Sequence, residues 1–296
     1  MTKKFKSGFA AIIGMPNVGK STLLNKIAGQ KIAIISDKPQ TTRNKILAIH
    51  TTKDYQIVFT DTPGIHKPHN KLGEFMVKVA KESMNEMDVV VFVVDATKPI
   101  CEMEKEIAKN IGKTGVPAIL VINKVDAVKK EDLLPIIANY SSLHDFSSII
   151  PISAKTGDGV ELLLKDIEEI LEEGPQFYYE DMVTDQPEKQ IAAEIIREKM
   201  LWLLDKEVPH GIAIEIEKMQ ELPQITKIFA TIYCEKPTHK GIIIGKNGEM
   251  LKKIGQKARV DIEEMLDKKV HLELWVRVKN DWRNSDRMIK NFGYEV

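Results

Sequence analysis

The sequence predicts an α/β domain built on a mostly parallel sheet, followed by a smaller α+β domain. Three observations lead there. Short β-branched runs alternate with longer helical patterns from Phe9 to about Gly174, and such alternation gives parallel strands covered by helices on both faces. Periodicity then lapses around Gly174-Pro175 and again at Asp185-Gln186-Pro187, the mark of a connecting segment. After it the pattern changes to the order α-β-β-α-α-β. The expected organisation is therefore 1–174, a linker at 175–187, and a second domain over 188–296. A length of 296 residues suits two domains at roughly 150 residues each.

Within the first domain the spacing predicts strands at Phe9–Ile13, Lys45–His50, Gln56–Thr60, Val89–Val94, Ala118–Ile122 and Ser148–Ile152. Helices should begin near Lys20, Lys71, Glu102, Glu131 and Val160. In the second, residues 188–206 put Ala192, Ile195, Ile196, Met200 and Leu203 on one helix face. Strands follow at Ile212–Glu217, Ile225–Cys234 and His271–Val278, with helices flanking Gly245 and Gly248. Trp202 is expected in this domain's core, with Trp275 and Trp282 joining it unless Trp282, beside Arg283 and Arg287, stacks on a base. The stretch from Asp281 to the end reads as a helix that completes the fold.

Composition narrows the function. The 43 basic and 43 acidic residues cancel, which argues against coating nucleic acid or membrane by net charge alone. Two cysteines, Cys101 and Cys234, supply neither a disulfide framework nor a cysteine-rich metal site and fit a reducing cytoplasm. The basic start meets Gly14 and Pro16 after a short apolar run, so it reads as a strand and not a leader. The run Val89 to Val94 falls far below the ~20 residues that span a bilayer. A soluble protein is expected. His66 and His69 flank Pro68, which breaks the helical register a metal pair would use, so they read as surface residues.

Gly14-Met15-Pro16-Asn17-Val18-Gly19-Lys20-Ser21, with Thr22 after it, fits the phosphate-binding loop, between a strand and a helix as that loop requires. Glycines let backbone N–H groups wrap phosphates, Lys20 neutralises β and γ oxygens, and the Ser21 hydroxyl suits Mg²⁺. A second Gly-Lys-Thr, at Gly112-Lys113-Thr114, has Ile107 where the upstream glycine belongs and sits in a helical pattern, so it is set aside. Asp61-Thr62-Pro63-Gly64 follows the third strand, where an acidic residue can hold Mg²⁺ and the Gly64 N–H can sense a γ-phosphate. Gln40-Thr41-Thr42-Arg43 lies in a polar stretch where a threonine can close onto the metal and phosphate. Thr42 is preferred over Thr41, with the choice open at this point. Asn123-Lys124-Val125-Asp126 follows the fifth strand, and the Asp126 carboxylate can accept from guanine N1 and N2, a donor pair adenine lacks. Ser153-Ala154-Lys155 follows the sixth strand, where a backbone N–H can meet guanine O6.

These five segments resemble the G1 to G5 elements of translation-factor-class GTPases, and the tail with Gly245-Lys246-Asn247-Gly248 resembles a type II KH domain. One G domain followed by one such KH domain is similar to the bacterial Era family, and the resemblance covers nearly the whole chain. The related family with two GTPase domains is disfavoured, because a single phosphate loop and a single Asn-Lys-x-Asp are present. The resemblance implies GTP and GDP as ligands, Mg²⁺ held by Ser21, Thr42 and Asp61, and hydrolysis served by Lys20, Thr42, Asp61, Gly64 and Asn17. It also implies binding near the 3′ end of 16S rRNA, a role in maturation of the 30S ribosomal subunit, and a cytoplasmic monomer with some peripheral contact at the inner face of the cell membrane. Ile65 follows Asp61-Thr62-Pro63-Gly64 where Ras-like enzymes place a water-orienting glutamine, so intrinsic hydrolysis is expected to be slow, on the order of 10⁻⁴ to 10⁻² s⁻¹. Some relatives with asparagine at the Asn17 position hold K⁺ beside the phosphates, which makes K⁺ a candidate cofactor.

The glycine pair needs its setting, since 17 glycines yield about one such pair by chance and Gly112–Gly115 is another. Gly245–Gly248 sits between Lys240-Gly241-Ile242-Ile243-Ile244 and a helix with Lys252, Lys253, Lys257 and Arg259. In a KH domain that loop clamps the backbone of about four nucleotides. The expected RNA contacts are Gly241, Ile244, Gly245, Lys246, Asn247, Gly248, Lys252 and Lys253. Residues 236–290 hold 14 Lys and Arg against 8 Asp and Glu, whereas 180–235 hold 6 against 12, so one side of this domain suits phosphate. The alternatives are a Ras-like signalling GTPase with a protein-binding C-terminal domain, and an RNA-binding protein that keeps the nucleotide as a structural ligand.

Overall fold

Alternating apolar residues build the first unit. In the computed structural model, which describes residues 4–36, 38, 41–61, 63, 70–82, 87–205 and 208–294 (main chain only at 80–82), the chain divides into two compact units, the first ending at Asp185. Its elements are β1 (Lys6–Ile13), α1 (Lys20–Ala28), β2 (Ile46–Thr51), β3 (Tyr55–Asp61), α2 (Lys71–Glu82), β4 (Val89–Asp95), α3 (Glu102–Thr114), β5 (Ala118–Asn123), α4 (Lys130–Ser141), β6 (Ser148–Pro151) and α5 (Val160–Ile170). The sheet order is β2-β3-β1-β4-β5-β6. Among the described strands of this sheet, the β2–β3 pair is antiparallel and the other strand pairs are parallel. Because successive side chains point to opposite faces, Ala10, Ile12, Val91 and Val93 pack on one side of the sheet. Ala11, Ile13, Val90 and Phe92 pack on the other. Both faces are dry, as a parallel sheet requires.

The register aligns the strand ends. Asp61 lies opposite Ile12 and Asp95 opposite Asn123, so the loops after β1, β3, β4 and β5 emerge together. Strand order reverses on either side of β1, and α/β sheets bind ligands at that switch point. Gly112 lies inside α3, as its helical setting predicts.

The segment expected as a linker runs along the first unit's sheet. Gln56 Oε1 accepts the N–H groups of Phe177 and Tyr178 at 2.8 and 3.0 Å. The Ile49 N–H donates to the Val183 carbonyl at 2.9 Å, and the Thr184 hydroxyl to that of Leu47 at 2.7 Å.

The second unit contains α6 (Glu188–Leu203), β7 (Ile212–Glu221), β8 (Ile225–Cys234), α7 (Pro237–Ile244), α8 (Glu249–Leu266), β9 (Lys269–Val278) and α9 (Asp286–Asn291). The described residues of 34–41 and 68–75 group with it. Strand order is β7-β8-β9, the hairpin β7–β8 antiparallel and β8–β9 parallel. The expected face of α6 packs against Ile228, Ala230 and Ile254 through Ala192, Ile195, Ile196 and Met200.

Two tryptophans correct the sequence reading. Trp202 is half exposed, its indole N–H donating to the Ile35 carbonyl at 2.9 Å while the Lys199 ammonium lies 4.0 Å from its ring centre. A polar edge with a partner at the surface, not apolar volume, fixes its place. Trp275 is exposed on β9, one residue out of phase with buried Val276. Trp282 is fully buried, donates to the Gly211 carbonyl at 3.0 Å, and stacks with Tyr294; base stacking by this ring is excluded. The stretch expected as one helix from Asp281 onward instead forms a 3-10 turn at Trp282–Asn284 and the short α9, capped by the Ser285 hydroxyl on the Met288 N–H. Among the described residues, no helix is long and apolar enough to cross a membrane.

Candidate nucleotide site and nucleic-acid groove

The loop after β1 takes its shape from backbone that only certain residues adopt. Gly14 has φ +151°, and a Cβ there would stand 2.3 Å from the Val93 carbonyl oxygen. Gly19, at φ +101°, would drive a Cβ to 2.1 Å from Asn123 Nδ2. The chain therefore passes beside β4 and β5 only with glycine at these positions. Between them Asn17 adopts φ +65°. The loop delivers Lys20 and Ser21 to the first turn of α1, whose N-terminal N–H groups favour anions.

Lys20 is buried, and its ammonium donates to the carbonyls of Gly14 at 3.2 Å and Met15 at 3.0 Å. Desolvation holds its pKa below the ordinary lysine value, opposed by the Asp61 charge. A cation so enclosed gains strongly from a phosphate. Three oxygen donors meet beside it. Ser21 Oγ donates to Asp61 Oδ2 at 2.7 Å, lies 3.0 Å from Thr42 Oγ1, and Thr42 Oγ1 stands 3.4 Å from the same carboxylate oxygen. Asp61 and Thr42 are buried. Two hydroxyls and one carboxylate form an all-oxygen set, which fits Mg²⁺ completed by phosphate and water and does not fit a soft metal. The Thr41 hydroxyl instead donates to the Lys38 carbonyl at 2.6 Å.

On the other side of the loop, Asn123 is almost fully buried and bridges two segments. Its Nδ2 donates to the Val18 carbonyl at 2.8 Å, and its Oδ1 accepts the Ala154 N–H at 2.9 Å. Lys124, at φ +68°, reaches across to the Asn17 carbonyl at 2.8 Å and to Asp95 Oδ2 at 2.7 Å. Asp126 lies in the 3-10 turn Val125–Ala127 with its carboxylate exposed. Ser153 and Ala154 are buried and Lys155 is exposed, in a turn closed by Gly157 and Gly159. The structure thus gathers residues 14–22, Asp61, 123–126 and 153–155 at the carboxyl edge of one sheet, with Thr42 on the metal side. Pro63 is buried. Gln40, Thr62, Gly64, Ile65, His66, Pro68 and His69 lie outside the described residues. Asp95 is the residue that motif reading passes over; the only signal is a carboxylate ending an otherwise apolar strand.

In the second unit α7 ends at Gly245, whose φ of +73° and ψ of 177° turn the chain sharply. A Cβ there would meet Met250 Cβ at 2.7 Å, whereas one at Gly248, φ +79°, would meet nothing within 4 Å. Gly245 is demanded by packing and Gly248 by backbone conformation and an open approach. The residues between them, Lys246 and Asn247, are exposed. Beyond this turn a groove of about 520 Å³ opens between α8 and β9, walled by Gly248, Lys252, Gln256 and Arg259 on one side and His271 and Leu272 on the other. Of the eight residues expected to contact RNA, Gly248 and Lys252 line it; Lys253 is exposed on α8, Gly241 is exposed on α7, and Ile244 packs partly into the core. The β9 wall was missed because a strand edge carries no motif.

Residues 9–124 match the model of a 50S ribosome-binding GTPase family and residues 207–283 that of the KH domain. The GTPase Era of Ruminiclostridium cellulolyticum is 56% identical over 99% of this chain and 98% of its own. The chain belongs to the Era family of GTPases. GTPase Era of Clostridioides difficile is 53% identical over 98% of this chain and 99% of its own. Two solved Era structures superpose with TM-scores of 0.95 at 42% identity, covering 99% of this chain and all of theirs. One is a single-residue variant of Aquifex aeolicus Era bound to GDP·AlF4⁻, the other a complex of Era with MgGDPNP and nucleotides 1506–1542 of 16S ribosomal RNA.

Proposed function

We propose that this Era-family chain is a Mg²⁺-dependent GTP-hydrolysing switch that binds the 3′ region of 16S rRNA and acts in assembly of the 30S subunit. The observation that carries the nucleotide half is the convergence of Ser21, Thr42 and Asp61 beside buried Lys20. These three side chains would hold Mg²⁺, which supplies charge neutralisation at the β- and γ-phosphates. Lys20 exchanges loop carbonyls for phosphate oxygens, and Asp126 reads the guanine edge. The position of Thr42 Oγ1, set against the outward bonding of Thr41, supports Thr42 as the ligand.

Ile65 stands where a water-orienting glutamine would, and an aliphatic side chain cannot polarise water, so the unassisted rate is slow, on the order of 10⁻⁴ to 10⁻² s⁻¹. Asn17, held at φ +65° beside the phosphate site, is the residue we assign to K⁺. Rates in K⁺ above those in Na⁺ support that assignment, and equal rates overturn it.

For the RNA half, the groove beside Gly248 and the exposed basic side chains of α8 favour a single strand over a protein partner. The test is a pair of substitutions at one site. Gly248→Asn keeps a residue that tolerates left-handed backbone, whereas Gly248→Asp adds a negative charge in open space above the groove. Titration with a strand matching the 3′ end of 16S rRNA should show near-normal affinity for the first and at least tenfold weaker binding for the second, with GDP affinity unchanged in both. Equal RNA affinities for both variants and the wild type would refute the assigned groove.

A further inference from the structure

Asp95 ends β4 with 1% of its side chain exposed. A carboxylate so enclosed requires partners, and it has them from two directions. Oδ1 accepts the Thr97 N–H at 3.0 Å and the Thr97 hydroxyl at 2.6 Å. Oδ2 accepts the Lys124 ammonium at 2.7 Å, with Lys98 a more distant 3.7 Å away. The Thr97 bonds fix the carboxylate plane, which leaves Oδ2 aimed at Lys124.

Lys124 is thereby pinned at both ends. Its backbone sits in the left-handed region at φ +68°. The β4–β5 register continues past Asp95, with the Ala96 N–H donating to the Asn123 carbonyl at 2.9 Å. Its ammonium is shared between Asp95 and the Asn17 carbonyl at 2.8 Å. The four-carbon stem is stretched from β5 to the phosphate loop, and an unpaired lysine would sample many rotamers there. Held this way, the stem is an apolar rail beside the turn that presents Asp126.

We propose that Asp95 is a positioning residue for guanine nucleotide binding, acting through Lys124. It orders the stem against which the flat face of the base rests, and it ties the base-reading loop to the phosphate loop, so that ordering one favours the other. This rests on the reading of 123–126 as the guanine site, and the two fail differently. If Asp126→Asn leaves the preference for GDP over xanthosine diphosphate unchanged, the site reading fails; the Asp95 proposal is tested separately by a double-mutant cycle.

Dissociation of a fluorescent GDP analogue is measured for the wild type, Asp95→Asn, Lys124→Met and the double variant. Asp95→Asn keeps the shape and an oxygen for Thr97 while removing the charge. The off-rate should rise about tenfold with Asp95→Asn and more with Lys124→Met, and the double variant should match Lys124→Met alone. Thermal melting supplies the second readout. Lys124→Met leaves a buried carboxylate without its nearer cation, with only Lys98 at 3.7 Å, so adding Asp95→Asn should restore part of the lost melting temperature. An Asp95→Asn effect that multiplies unchanged onto Lys124→Met, or no change in off-rate from Asp95→Asn, overturns the proposal. Should Asp95→Asn fail to fold, Thr97→Val loosens the same carboxylate from its other side. It should raise the off-rate two- to threefold in the wild type and not in Lys124→Met; equal effects in both backgrounds overturn the proposal.

Discussion

The nucleotide site and the RNA groove proposed for the two units are built to meet anionic ligands by opposite means. At the nucleotide end, buried Asp61, Asp95 and Asn123 are each bonded to segments distant in sequence, and buried Lys20 is bonded to carbonyls of its own loop. At the groove, Lys252 and Arg259 project from α8, with Lys253 and Lys257 exposed elsewhere on the same helix, and a single glycine turn does the shaping. Enclosed, cross-bonded groups discriminate strongly because a wrong ligand leaves them unsatisfied. Exposed charges bind backbone through counterion release, with affinity that falls as salt rises. A demanding phosphate-end pocket and tolerance toward an RNA backbone differ by burial, not by residue type, since lysine serves both.

The sharpest way to break this contrast is Lys20→Ala, expected to weaken GDP binding at least 100-fold in a fluorescence titration, with little change between low and high salt. A loss that salt erases would place Lys20 with the exposed class. Next in size, Trp282→Ala should destabilise the second unit by about 3–5 kcal/mol, read by denaturant unfolding, while leaving GDP binding intact; Trp202→Ala, half exposed, should cost less. Asp126→Asn should cut the preference for GDP over xanthosine diphosphate at least tenfold in a competition assay. Lys252→Ala should weaken RNA binding only a few-fold and reduce the slope of log affinity against log salt by about 0.7, one phosphate on a single strand.

The smallest effect concerns pH. Lys124 and Thr97 hold the Asp95 carboxyl below its ordinary value of 3.8, against the opposing cost of burial. A depressed carboxylate stabilises the fold above its unfolded pKa, and that contribution disappears as pH falls through the folded one. Stability from this pair should therefore be flat from pH 8 to 5 and decline only below about pH 4. The Asp95→Asn variant should lack that acid-side component in pH-dependent melting.

Much of this molecule was legible in its residues. Strand ends carry the nucleotide motifs, so once β-branched runs such as Val89–Val94 are located, the loops after them fall into place. The groove was legible only in part. Its glycine turn has a signature, but the β9 wall, His271 and Leu272, is an ordinary alternating strand whose role arises from what α8 leaves uncovered. Tryptophan misled for a related reason: Trp202 and Trp275 carry apolar area that predicts burial, yet an indole N–H bonded to Ile35 and a position out of phase with Val276 put them at the surface. Asp95 was invisible because its meaning lies in Lys124, 29 residues away, and no local pattern joins them.

The most direct test of the switch is the affinity of the full chain for a strand matching the 3′ end of 16S rRNA, measured side by side with a non-hydrolysable GTP analogue and with GDP, both with Mg²⁺. The proposed function requires tighter RNA binding in the triphosphate state. Equal affinity in the two states, or none in either, would contradict it.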